Sequence, residues 1–489
     1  MDISASTRDF LARFLTYRQK PERVVLGLHA DTAARGVDVV VVEIAGNDVR
    51  PEWRILALDF FPYTRTLRNR VWNAAQLTAG ERNEIDLDVA QFFAQSALGS
   101  LDRSRRTREN LDLIGSQGQS IFEPLRFQAH VASMTQIGDA DVIAEALGCP
   151  VISDFRRRDI AAGGAGTPLF SLLDALLFTQ PTEARALVHI GDVATVSWLP
   201  PHGAALGFDV GPGMMLMDAM RRRWLPAIET DDEIDPAADG YVLEDLLEQL
   251  LLHPFLVPAA PRTFAQEPAS EHIVRGLLRA HSHCPPEDIF ATLAAATARH
   301  IAQSLFGPTR RVPLPPARVF VSGRGAMNAS LLQFLLEALP STPIETTEAL
   351  GLPPRAREAF SFAPRSSIPP WVAPAICHRP ARAMPCRSAA SRSDPLGLSG
   401  SPGGQYSKVS LQVLAGRRVT GARQPSLAQQ RQHAQHDDDA QIASPPPFSC
   451  SHRGRPIGMS IRKTWWVGAG YAAARAAVHS TGVFMERRV

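Results

Sequence analysis

A two-lobed α/β fold in which the second half repeats the first is what three features of this 489-residue sequence predict. Residues 23–115 read as strand, strand, strand, helices, strand. About 160 residues later, from Ala186, the strand–turn–strand–strand order returns and again leads into helices and a further strand. After Ala363 the periodicity stops, and Pro, Ser, Arg, Ala and Gln dominate.

The elements follow in order. Val24 to Leu28, Gly36 to Ile44 and Trp53 to Leu58 read as strands, and the four consecutive valines 39–42 imply a strand buried on both faces. Helical spacing predicts helices over Arg65 to Leu77 and Leu87 to Asn110. A strand, Leu111 to Gly115, then ends in the polar loop Ser116 to Ser120. Val151-Ile152 reads as a short strand entering a charged turn, Ser153 to Arg158, followed by glycines and a helix. The second half opens with strands Ala186 to Ile190, Ala194 to Leu199 and Leu206 to Asp209, and a helix from Met214 to Trp224 follows Gly211-Pro212-Gly213. Helices are expected at Val242 to Leu251, Glu271 to Arg279 and Glu287 to Phe306, then a strand, Arg318 to Ser322, and a helix entered through Gly323-Arg324-Gly325. Two similar halves place the ligand cleft between them.

Composition excludes several function classes. Fifty-one Lys plus Arg against 49 Asp plus Glu leave a net charge of +2, which calls for no nucleic-acid or anionic-membrane partner. Five cysteines lack the density of a disulfide framework, as in a reducing compartment. No apolar run reaches the ~18 residues of a membrane span and residues 1–20 lack a signal-peptide core, so a cytoplasmic protein is expected. The His281-Ser282-His283-Cys284 peptide has no second ligand pair at metal-site spacing, and no protein-held metal centre is expected.

The chemistry-bearing motifs sit at strand ends. They are Gly27-Leu28-His29-Ala30-Asp31-Thr32-Ala33-Ala34-Arg35-Gly36-Val37-Asp38, Gly115-Ser116-Gln117-Gly118-Gln119-Ser120, Gln136-Ile137-Gly138-Asp139, the Asp154 run, His189-Ile190-Gly191-Asp192, Gly207-Phe208-Asp209-Val210-Gly211-Pro212-Gly213 and Ser322-Gly323-Arg324-Gly325-Ala326-Met327-Asn328, with Glu358 in Arg357-Glu358-Ala359-Phe360. Read on residue type alone, Asp154 serves more often as a helix cap or an ion-pair partner of Arg156 to Arg158 than as a base. The Ala30–Gly36 stretch serves equally as a plain hairpin turn.

Taken in order over Val24 to Ala363, these motifs resemble the anhydro-N-acetylmuramic acid kinases, whose first turn reads roughly Gly-Leu-Met-Ser-Gly-Thr-Ser-x-Asp-Gly-x-Asp and whose second reads close to Asn-Ile-Gly-Gly. The resemblance implies the duplicated actin/hexokinase-like (ribonuclease H-like) fold. It implies residues 21–135 as the first lobe with 340–363 packing back on it and 136–339 as the second, while composition alone makes 364–489 a low-complexity, disordered tail. It also implies ATP and Mg²⁺ as cofactors and an amino sugar as substrate, opened by water at its 1,6-anhydro bridge and phosphorylated on O6, in amino sugar catabolism and cell-wall recycling. A homodimer is compatible with it.

By position, the resemblance implies Asp154 as the base that activates water, with Glu358 on the far cleft wall. Phosphate and nucleoside fall to Gly27, Thr32, Gly36, Asp38, Gly191, Gly211, Gly213, Gly323, Gly325 and Asn328. The sugar falls to Gln117, Gln119, Gln136 and Asp209. Four departures stand in the phosphate turns: Asp31 and Asp192 replace glycines, Arg35 replaces an acid, and Arg324 interrupts the nucleoside glycines. They raise the alternative of a pseudokinase that keeps the fold and sugar cleft without efficient phosphoryl transfer.

Overall fold

The computed structural model describes residues 17, 20–46, 50–122, 134–161, 166–225, 234–253, 256, 267–307 and 310–367. The first half builds β1 (Glu22–Ala30), β2 (Gly36–Ala45), β3 (Glu52–Pro62), α1 (Arg65–Trp72), α2 (Ala79–Arg103), β4 (Leu111–Ser116), β5 (Gln119–Phe122), β6 (Thr135–Ile137), α3 (Ala140–Leu147) and β7 (Val151–Ile152). After α4 (Phe155–Ala161) and α5 (Ser171–Phe178), the second half builds β8 (Arg185–Ile190), β9 (Val193–Leu199), β10 (Leu206–Pro212), α6 (Met215–Trp224), α7 (Glu244–Leu252), α8 (Glu267–Ala280), α9 (Pro286–Phe306), β11 (Arg318–Ser322), α10 (Ala329–Ala338), β12 (Ile344–Thr346) and α11 (Arg357–Ser367). No described helix is long and apolar enough to cross a membrane.

The duplication is visible in the sheets. One runs β3-β2-β1-β4-β7 and the other β10-β9-β8-β11-β12. In each, three antiparallel strands are followed by two joined in parallel. This is the actin/hexokinase-like arrangement that the repeated pattern predicted. The valine run behaves as expected of a doubly covered strand: Val39 and Val41 join the core under α2 and α3, while Val40, Val42 and Ile44 join the core that includes Leu187, Phe320 and Phe360. Between the sheets lie α11, packed on β1, β2 and β4, and α5, packed on β9.

Several expected boundaries move for physical reasons. The helix expected from Leu87 begins at Ala79, because the Thr78 hydroxyl and the Glu81 carboxylate form a capping box. It ends at Arg103, and 108–110 form a separate turn. The expected loop 116–120 is the junction of β4 and β5, turning at Gly118 with φ +75. The lobe boundary at 135/136 gives way, since α3 packs on α2 and β7 pairs with β4. Of 340–363, β12 joins the second sheet, while Leu352, Arg355, Ala356 and α11 pack back on the first. That helix runs to Ser367, and 368–489 of the expected tail lie outside the described residues.

Glycine lets α11 approach so closely. A Cβ at Gly27 would lie 2.1 Å from the Ala359 carbonyl oxygen, and one at Gly115 would lie 2.1 Å from that of Phe362. Arg357, at the start of the same helix and 1% exposed, reaches into the second lobe. Its guanidinium pairs with Asp174 on α5 and donates to Ser322 Oγ at 2.9 Å and Ser197 Oγ at 3.1 Å. It also stacks 4.5 Å from the Phe170 ring centroid. Arg357→Met leaves Asp174 buried without its cation and should lower unfolding free energy by about 3–5 kcal/mol in urea titrations, with Asp174→Leu added to it recovering part of the loss. A loss below about 1 kcal/mol, the range of an exposed pair, would contradict this role.

Candidate active site

A cleft of about 1020 Å³, counting its open mouth, lies where the β1–β2 turn, the β8–β9 turn, the Gly323 turn and α11 converge. Its floor is a chain of three groups. His29 and His189 each occupy the penultimate position of the first strand in their half, and both point at Glu358. His29 Nε2 lies 3.4 Å from Glu358 Oε1, and His189 Nε2 lies 3.2 Å from Oε2. Phe362 stacks on His29, Phe170 tilts against His189, and Ser322 Oγ lies 3.2 Å from His189 Nδ1.

Burial alone would raise the Glu358 carboxyl, but His29 and His189 together hold it well below the usual carboxylate range. Burial likewise opposes charge on His29, and Glu358 with Asp38 reverses that and raises its pKa above the ordinary 6.5. The repeat could have revealed these histidines, because they match in register between the halves. They were missed as site residues because neither stands alone in a recognisable motif. Arg156, buried and lining the cleft with a contact to Ser120 Oγ, is another residue that sequence reasoning did not single out.

The phosphate turns are held by side chains. Thr32 Oγ1 donates to Asp192 Oδ2 at 2.7 Å, and the Ala33 N–H donates to the same oxygen at 2.9 Å. Arg324 Nη2 donates to Asp192 Oδ1 at 2.8 Å and to Asp218 Oδ2 at 2.5 Å. Arg35 donates through its backbone N–H and Nε to the two oxygens of Asp31, at 3.0 and 2.6 Å. The four departures noted in the sequence are therefore two ion pairs, Asp31–Arg35 and Asp192–Arg324, all four side chains being largely buried.

Of the residues singled out from sequence, Thr32, Asp38, Gln117, Gly191, Asp209, Gly323 and Glu358 line the cleft. Asp209 is buried and accepts from Thr195 Oγ1 at 2.9 Å. The rest are placed otherwise. Asp154 is not among the described lining residues: its side chain is 58% exposed, its φ is +56, and it faces Arg157 at 3.5 Å. A Cβ at Gly27 would meet α11 and one at Gly36 would meet the Phe61 carbonyl, so both positions are closely packed. A Cβ at Gly213 would meet the Gly191 carbonyl and one at Gly325 would meet Ile190, whereas one at Gly211 would meet nothing closer than 3.8 Å. Asn328 caps α10 through the Leu331 N–H and meets Asp235. Gln119 is fully buried, donating to the Asp31 carbonyl and accepting from Tyr63, and so props the first turn. Gln136 donates to the Gln117 backbone carbonyl and orients that residue.

Comparison with known proteins decides the family. The family model described as anhydro-N-acetylmuramic acid kinase matches residues 23–398. The chain belongs to that family. The match continues past Ala363, where the motif resemblance was expected to stop. Similar relatives are the anhydro-N-acetylmuramic acid kinases of Caldanaerobacter subterraneus subsp. tengcongensis, 31% identical over 72% of this chain and 92% of that protein, and of Shewanella putrefaciens, 33% identical over 69% and 89%. Among solved structures, a ROK family glucokinase from Streptomyces griseus is similar at TM-score 0.32 and 13% identity, over 70% of this chain and 99% of that one. Set against the turn patterns quoted for the resemblance, His29 and His189 stand at the Met and Asn positions, so the Glu358 cluster is a further departure from those patterns.

A pH dependence follows from the cluster. Because the His29 pKa is raised above 6.5, its contribution to stability is present below that value and is lost as pH rises through the raised value. The melting temperature of His29→Met should therefore fall furthest below the parent near about pH 5.5, and the gap should narrow by about pH 8.5. A gap unchanged between those conditions would show that His29 carries no charge toward Glu358.

Proposed function

We propose that the chain is an ATP-dependent kinase that opens a 1,6-anhydro amino sugar with water and phosphorylates its O6. The observation that carries this reading is the interlobe cleft walled by Asp209 and Glu358 in a member of this family. Asp209 takes the base role expected of Asp154, because it is buried in the cleft and, unlike Asp192, is not held by the Arg324 guanidinium, with the Thr195 hydroxyl fixing its orientation. Water attacks the anomeric carbon as its proton passes to Asp209. The C1–O6 bond breaks, and O6 takes the γ-phosphoryl group while ADP leaves. Glu358, held ionised by its two histidines, is an acceptor that orients water or a sugar hydroxyl; its lowered pKa makes it a weak base.

The donor set of the first turn is selective about a cation. Asp31 is bound by Arg35, whereas Asp38, beside His29, fits a hydrated Mg²⁺. When bound there, Mg²⁺ would neutralise phosphate charge.

A second reading, a pseudokinase that binds the sugar without efficient transfer, is favoured by the Asp31–Arg35 pair. That pair places a guanidinium where the family pattern has an acid. Sugar-dependent ADP release by the purified protein separates the two readings. In the first, Asp209→Asn lowers turnover by about 10²- to 10⁴-fold while sugar binding persists, and Asp154→Asn stays within about threefold of the parent. Equal losses in both variants would return the base role to Asp154. No ADP release from the parent, with sugar still bound, would establish the pseudokinase.

A further inference from the structure

Asp192 makes the contacts that a bound oxyanion makes. One carboxylate oxygen receives the Thr32 hydroxyl at 2.7 Å and the Ala33 backbone N–H at 2.9 Å, and the other receives the Arg324 guanidinium at 2.8 Å. A hydroxyl, a turn amide and a guanidinium converging on one anion are a donor set for a phosphoryl group. The donors come from both lobes: Thr32 and Ala33 from the β1–β2 turn, Arg324 from the turn after β11. Asp192 is only about 8% exposed and Arg324 likewise, so the contacts form in a low-dielectric setting where they are strong.

We propose that Thr32, the Ala33 N–H and Arg324 form an oxyanion cradle that the protein fills with its own Asp192 carboxylate, and that a phosphoryl oxyanion enters only by displacing it. The inference rests on the reading of the cleft as a nucleotide site and adds what controls entry to it. Two features make displacement costly. Arg324 is already shared with Asp218 at 2.5 Å, so an incoming anion meets a guanidinium whose charge is spent on two carboxylates. A displaced Asp192 would also stand as an uncompensated anion beside the phosphate, which adds repulsion. Asp192 is then the residue that sets nucleotide affinity here, and its removal leaves Arg324 still balanced by Asp218.

Isothermal titration of Mg-AMPPNP and of magnesium pyrophosphate into the parent, Asp192→Ala and Asp192→Asn tests this, with sugar binding titrated alongside. The expected result is at least about tenfold tighter binding of both probes by Asp192→Ala. A smaller gain is expected for Asn, whose amide oxygen can still occupy the Thr32 and Ala33 donors but carries no charge. The Asn variant preserves side-chain size, so it reports even where Ala disturbs the turn. Equal nucleotide affinity in all three proteins overturns the proposal while leaving the nucleotide reading standing. Nucleotide binding by none of the three overturns both, and sugar binding then shows whether the sugar half of that reading survives.

Discussion

Arg357 joins the two halves of the molecule. It begins a helix whose body lies on the first sheet, yet its guanidinium is buried among Asp174, Ser197 and Ser322 of the second lobe. A buried cation needs a complete set of partners, and this one takes them from α5, β9 and β11. The contact fixes where α11 starts, so the next residue, Glu358, falls between His29 and His189. Gly27 and Gly115 serve the same constraint from the other side, because no side chain fits where the helix backbone meets β1 and β4. The cleft is thus built by one helix pinned to both sheets.

Charge compensation is the second theme. Substituting a glycine by an aspartate in a phosphate turn adds an anion where an anion must bind, and a guanidinium in place of an acid removes a cation ligand. In this fold neither change stands alone. Asp31 and Arg35 satisfy each other within one turn, and Asp192 and Arg324 satisfy each other between turns. Pairing lets carboxylates sit in a largely buried cleft without their desolvation costs going unmet. It also draws the β1–β2 and β8–β9 turns together through Thr32, so the chemistry that makes the turns stable is the chemistry that competes with a ligand.

The fold was legible because hydrophobic periodicity and the repeated hairpins report strand order directly. The valine run and the two glycine-marked turns were enough to anticipate two matching sheets. Lobe boundaries were not, since the membership of Val151–Ile152 in the first sheet depends on a parallel pairing with β4 that no local pattern encodes. The site was legible as motifs but not as roles. Asp154 and Asp209 are both aspartates in glycine-bearing strand-end motifs, and only the path of β10 into the cleft and the outward turn at Asp154 tell them apart. Gly27, Gly36 and Asn328, expected as ligand contacts, also make close-packing or capping contacts that the sequence did not distinguish, because the same small or amide side chains serve both purposes. The Asp192–Arg324 pair was invisible as a pair, for its residues lie 132 apart.

The central claim is that the Asp192 carboxylate stands where phosphate would stand. A double-mutant cycle on Mg-AMPPNP affinity tests it most directly, because Thr32 then serves Asp192 in the parent and the nucleotide only when Asp192 is gone. Thr32→Ala should change nucleotide affinity by less than about twofold in the parent and weaken it by about fivefold or more in the Asp192→Ala background, a coupling of the size expected for groups sharing one partner. Equal losses in the two backgrounds would contradict the account, since they would mean that the nucleotide and Asp192 never compete for the same hydroxyl.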